Sequence, residues 1–92
     1  MAKLNIEQAH SLPLDEVRKR LEELANRLSA KYGIDAKWTS DVEATLKRTG
    51  VSGTIKVAAD KVAVMLDLSF ALLPMKGKIL DRIQRELTAA LA

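Results

Sequence analysis

Hydrophobic and polar positions alternate from the N-terminus: Leu4, Ile6 and Gln8 share one parity, and Lys3, Asn5 and Glu7 the other. A period of two is that of a half-buried strand, predicted over residues 2–9. Ser11, Leu12 and Pro13 end it, and proline is pre-organised for a first helical turn, where Asp15 and Glu16 suit the positive end of the helix dipole. Leu14, Val17, Leu21, Leu24, Ala25 and Leu28 then recur at steps of three and four. On the other side Asp15/Lys19, Glu16/Arg20 and Glu23/Arg27 set an acid four residues before a base. These spacings predict an amphipathic helix over 13–31, closed by Gly33 in the left-handed conformation.

The period returns to two in the second half. Trp38, Val42, Ala44 and Leu46 alternate with polar neighbours, Val51, Ile55 and Val57 alternate with Ser52, Thr54, Lys56 and Ala58, and Val62, Val64, Leu66 and Leu68 alternate with Ala63, Met65 and Asp67. Thr49-Gly50 and Ala59-Asp60-Lys61 are short enough to be hairpin turns, so the three strands form an antiparallel meander, and Gly53 marks a bulge or a close approach. From Pro74 the spacing of Met75, Ile79, Ile83, Leu87 and Leu91 gives a second amphipathic helix. The expected fold class is α+β: one two-layer β-α-β-β-β-α domain over 1–92, with a mainly antiparallel four-stranded sheet and two helices packed on one face.

Composition narrows the function classes. With 92 residues and 48% hydrophobics, the chain forms a core too simple for a deep pocket. No cysteine is present, which excludes disulfides, thiolate metal sites and thiol nucleophiles and suits the cytoplasm. No stretch approaches the ~20 apolar residues of a membrane span. The net charge of +3 comes from 15 basic and 12 acidic residues that are interspersed, so it makes a weak case for nucleic acid.

The candidate chemistry is sparse. His10 is the single histidine, without a metal partner or a serine in a catalytic setting, and is expected to be structural. Asp41, Glu43, Asp60 and Asp67 fall on turns or the wet face, where Lys47, Lys56 and Lys61 supply counter-charge, so no desolvated carboxylate pair is expected. Phosphate loops, a nucleophile elbow and a zinc-protease motif are missing. The chain is expected to be no enzyme and to carry no catalytic residues, cofactor or metal.

Phe70-Ala71-Leu72-Leu73-Pro74-Met75-Lys76-Gly77-Lys78 breaks the local rules. Large apolar residues fill a connection, and two lysines and a glycine occupy a first helical turn that disfavours cations and gains nothing from glycine. Its plain reading is a core cap in which Phe70, Leu72 and Leu73 cover the core and Lys78 meets Asp81. Its functional reading is a contact surface built from Phe70, Leu72, Leu73, Lys76 and Lys78, with Trp38 as a further aromatic anchor or a core residue.

Taken together, His10 after a first strand, the helix ending in Tyr32-Gly33, Trp38 opening the sheet, Gly50-Val51-Ser52-Gly53-Thr54-Ile55 and Leu72-Leu73-Pro74 before a closing helix resemble one family. It is the small bacterial polyhydroxyalkanoic acid system family of granule-region proteins. The resemblance covers nearly the whole chain and implies an accessory or regulatory role in polyhydroxyalkanoate (PHA) metabolism, with no catalytic residues to transfer. It implies a granule-associated protein or the granule surface as partner, and a cytoplasmic, granule-associated location. Two other classes compete. The αβββα order from residue 13 is that of double-stranded RNA-binding domains, although the Arg48-Thr49-Gly50 hairpin is too short to reach a minor groove, which makes nucleic acid a poor partner. A carrier for a small apolar ligand between sheet and last helix is the third reading. The first strand or the edge at 36–47 is a candidate for pairing in a homodimer.

Overall fold

The period-two segments become strands and the three-four segments helices in the computed structural model, which describes residues 2–91. The order is β1 (Ala2–Ala9), α1 (Leu14–Tyr32), β2 (Asp35–Trp38), β3 (Glu43–Arg48), β4 (Val51–Val57), β5 (Lys61–Leu68), a 3-10 helix (Phe70–Met75) and α2 (Lys76–Leu91). All strands join one antiparallel sheet in the order β1-β5-β4-β3-β2, so the first strand pairs with the last and α1 carries the chain from one edge to the other.

The α+β class and the one-sided packing are as expected, but the sheet has five strands where four were expected. The segment 36–47 is two strands joined by a turn at 39–42. Thr39 and Ser40 N–H groups donate to the Glu43 carbonyl oxygen at 3.0 and 3.3 Å, and the Ser40 hydroxyl accepts from Val42 N–H at 3.3 Å. Such serine and threonine bonds are the ordinary signature of a turn. A four-residue turn preserves parity: Ala36 and Trp38 on β2 point to the same face as Ala44 and Leu46 on β3, so the alternation runs on through the reversal. Val42 sits inside the turn and is 43% exposed, not a core residue.

One face of the sheet is consumed by the helices. In register across the strands, Leu4 lies beside Leu66, which lies beside Gly53, and Ile6 beside Val64, which lies beside Ile55. Val17, Leu21, Leu24 and Leu28 of α1 and Ile83, Leu87 and Leu91 of α2 close over this face, and Leu21, Leu28, Leu46, Ile55, Leu68 and Leu87 are among the most deeply buried. Leu14 departs from the expected stripe and is exposed in the first turn of α1. Of the three expected pairs along α1, only Glu16–Arg20 forms among the described residues, at 3.1 Å. Arg27 instead crosses to α2, where Glu86 takes Arg27 Nε at 3.3 Å and Lys31 Nζ at 3.7 Å.

Two glycines set the geometry. Gly33 has φ +68° and closes α1: its N–H donates to the Ser29 carbonyl at 3.0 Å and Ile34 N–H to the Leu28 carbonyl at 3.3 Å, a pair of bonds that stops the helix and turns Ile34 into the core. Gly53, in the central strand, is the expected close approach: a β-carbon there would collide with the Met65 carbonyl oxygen and lie 2.7 Å from Leu66 Cδ2.

Candidate functional site

The segment 70–78 sits at the end of the sheet that carries the β3–β4 turn, held there by Ser69 N–H donating to the Gly50 carbonyl at 2.9 Å. It divides between the two readings that the sequence left open. Leu72 packs against the core and Leu73 is half-buried, as a cap requires. Phe70 does not cap anything: it is 75% exposed, and Met75 at the other end of the 3-10 helix is 48% exposed. Lys76 and Lys78 are exposed in the first turn of α2. Asp81, the expected partner of Lys78, pairs with Arg85 at 3.1 Å, and neither lysine has an ion pair among the described residues. The fault in the pattern is thus a patch of exposed apolar groups beside cations in the field of a helix dipole that opposes them.

Trp38 is not part of that patch. Its β2 position pairs with Ala44 and runs toward the opposite end of the sheet, and its ring packs against the core on one side. Its other face carries the Arg18 guanidinium, 3.9 Å above the ring centroid. Arg18 also donates from Nη1 to the Asp41 carbonyl at 3.0 Å and from Nε to Glu22 at 3.0 Å. The tryptophan, the arginine and the 39–42 turn form one structural unit that pins β2 to α1.

His10 is likewise committed to backbone. Nδ1 accepts from Leu12 N–H at 3.2 Å, which assigns the proton to Nε2, and Nε2 donates to the Ala58 carbonyl at 2.9 Å. The histidine therefore ties the β1–α1 connection to the β4–β5 turn, as its place at a strand end suggested. The four carboxylates do not converge. Asp41 lies 3.6 Å from Arg18 Nη1, Glu43 is half-buried opposite Lys56, and Asp60 is exposed in a turn. Asp67 is more enclosed than a fully wet face implies: its Oδ1 is buried without a hydrogen-bond partner among the described residues, on a strand position flanked by Lys3 and Ser52. Among the described residues, no group of three or more His, Cys, Asp or Glu is placed to hold a metal ion. Lys61, expected as a counter-charge for these carboxylates, is bound by Glu7 at 2.9 Å. The Glu7 hydrogen bond first, and its charge second, raise the Lys61 pKa above the usual 10.5.

A second feature lies beside the patch, where the carrier reading placed an apolar ligand, between sheet and last helix. A crevice of about 230 Å³ opens between the end of α1 and the start of α2. Ile34, Val51, Leu66 and Ile83 line it, and Tyr32, Arg48, Lys78 and Arg82 belong to the same lining. No periodicity announces it, because its cations come from the end of β3 and from α2, elements that are distant along the chain and meet only through the fold.

Against known proteins, a family model described as "Putative polyhydroxyalkanoic acid system protein" matches residues 4–91. No curated protein matches the chain. No helix among the described residues is long and apolar enough to cross a membrane.

Proposed function

We propose, since the chain belongs to the polyhydroxyalkanoic acid system family, that it serves polyester storage as a non-enzymatic accessory protein whose 70–78 end docks on a protein of the granule coat. The observation that carries this reading is Phe70, three-quarters exposed at the start of an apolar 3-10 helix that runs directly into α2, whose Lys76 and Lys78 form no ion pair among the described residues. Aromatic side chains are enriched in protein interfaces. The lysines argue for an acidic protein partner over bare polyester, which is neutral and offers them no counter-charge. Contact in place of catalysis is supported by His10, whose two ring nitrogens are both occupied by backbone, and by the dispersal of the carboxylates over separate strands and turns.

Co-sedimentation with purified granules tests this, using native granules and granules stripped of protein. Wild-type chain is expected to pellet with native granules and to stay in solution with stripped ones. Phe70→Ser and the Lys76→Glu/Lys78→Glu double variant are each expected to lose most of the binding. Both changes lie on exposed side chains and leave the core intact. Equal pelleting with stripped granules would replace the coat protein by the polymer surface, and undiminished binding by both variants would remove this end of the domain as the docking site.

A further inference from the structure

We infer that the crevice between α1 and α2 is a binding site for a medium-chain carboxylate, with the apolar tail inside and the carboxylate held at the mouth by Arg48, Lys78 and Arg82. An apolar hollow of ~150 Å³ already takes up benzene. The crevice here is about 230 Å³ in a chain of 92 residues. It exceeds the hollow that takes up benzene, so an alkyl tail of a medium-chain acid fits it.

The helices part at a definite place. Toward the C-terminus of α2, Glu86 clamps Arg27 and Lys31, and the Ala90 carbonyl accepts from Arg20 Nη1 at 3.3 Å. On the other side of Glu86, toward the start of α2, no such tie crosses from α1 among the described residues, and the sheet residues Val51 and Leu66 become the crevice floor. Leu72 and Ile79 form its wall on the 3-10 helix and α2.

Charge selects the head group. Three cations line the crevice and no Asp or Glu does. None of the three forms an ion pair among the described residues, because Asp81 is taken by Arg85 and Glu86 by Arg27 and Lys31. Converging cations without a counter-ion repel one another, and an anion bound there relieves that repulsion. Two of the three are arginines, whose planar donors match a carboxylate. An apolar lining with a few charged groups that fix orientation is the usual make-up of a small-molecule site. This inference does not rest on the granule reading: Phe70 lines neither wall nor floor, and Lys78 is the one residue that both use, so the double variant below leaves Lys78 in place.

Titration calorimetry of the full chain with octanoate, octanol and acetate tests it. Octanoate is expected to bind at least about tenfold more tightly than octanol, which lacks the charge, or acetate, which lacks the tail. Its affinity is expected to fall as salt is raised, as for any exposed charge pairing. The Arg48→Gln/Arg82→Gln variant, changed at two exposed positions, is expected to lose about tenfold for octanoate and nothing for octanol. Phe70→Ser is expected to bind octanoate as the wild type does, which separates this site from the docking surface. Amide and methyl shifts in NMR spectra should map to Leu72, Ile79 and Ile83. Equal affinity for octanoate and octanol, indifference to the double substitution, or shifts confined to the open sheet face would each overturn the assignment.

Discussion

Replacing Gly53 and Gly77 each by alanine should change stability in opposite directions, because the fold treats the two glycines differently. Alanine is ordinarily favoured over glycine inside a strand or helix by about 0.5–1 kcal/mol, since glycine loses more freedom on folding. At Gly77, in the first turn of α2, nothing lies within 4 Å of an added β-carbon, so that gain should appear in full. At Gly53 the β-carbon would lie 2.7 Å from Leu66 Cδ2 and 3.3 Å from Leu66 Cα, and would overlap the Met65 carbonyl oxygen. A leucine methyl can rotate away, whereas a backbone oxygen on the adjacent strand cannot, so β4 and β5 must separate. Overpacking of this kind costs about 1–3 kcal/mol, and each weakened strand hydrogen bond about 1 kcal/mol more. Set against the glycine gain, the net loss is about 2 kcal/mol, a large share of the ~5–10 kcal/mol that holds a domain of this size together. At about 4–8 °C per kcal/mol, Gly53→Ala should melt about 8–16 °C lower and Gly77→Ala a few degrees higher. Thermal melts followed by far-ultraviolet circular dichroism, with urea titrations to check an unchanged slope, read both. A Gly53→Ala protein as stable as the wild type would refute the close approach of β4 to β5, and with it the register of the sheet centre.

Other perturbations probe the remaining devices. Gly33→Ala meets no steric neighbour but must hold φ near +68°, so it should lose about 1 kcal/mol, with Gly33→Asn losing less; chemical denaturation compares them. Arg18→Met should cost about 1 kcal/mol by removing the guanidinium from the Trp38 ring and the 39–42 turn, and Arg18→Lys should recover little. Because Trp38 is the single tryptophan, a red shift of intrinsic fluorescence should accompany the Arg18 loss. The Lys61 pKa is raised in the folded state, so its pairing with Glu7 stabilises the fold at pH below about 10.5 and is lost as the pH climbs past the folded value. Lys61→Met should flatten that part of the alkaline decline in a pH series of melting temperatures, and an unchanged decline would remove the pair as its source.

Most of the fold was legible because burial is one-sided. A sheet with one covered face must alternate, and helices lying on it must repeat at three and four, so strands β1, β4 and β5 and both helices can be read directly from their apolar positions. What stayed hidden was what alternation cannot express. The 39–42 turn keeps the parity of its flanking strands, and only Thr39, Ser40 and Asp41, three turn-forming residues in a row, signalled the reversal that makes β2 a strand of its own. The 70–78 segment showed itself as a local inconsistency, cations and glycine in the wrong turn, and the fold explains why that mattered: Phe70 points away from the core it was expected to cap. Trp38 was a candidate anchor by size alone, and only the approach of Arg18 reveals its ring as covered. The crevice lies where the carrier reading set an apolar ligand, between sheet and last helix, but its charged lining could not be read from the sequence, since it is assembled from six separate elements and from Ile34 between α1 and β2.

The claim on which the functional account rests is that this domain works through the end bearing Phe70 and leaves its open sheet face in water. A photo-crosslinking side chain placed at Phe70, and in a parallel strain at Thr54 on the open face, tests this in polyester-accumulating cells. The account predicts a discrete adduct with a granule-coat protein from position 70 and none from position 54. Adducts from position 54 alone would contradict it and move the working surface to the other side of the sheet.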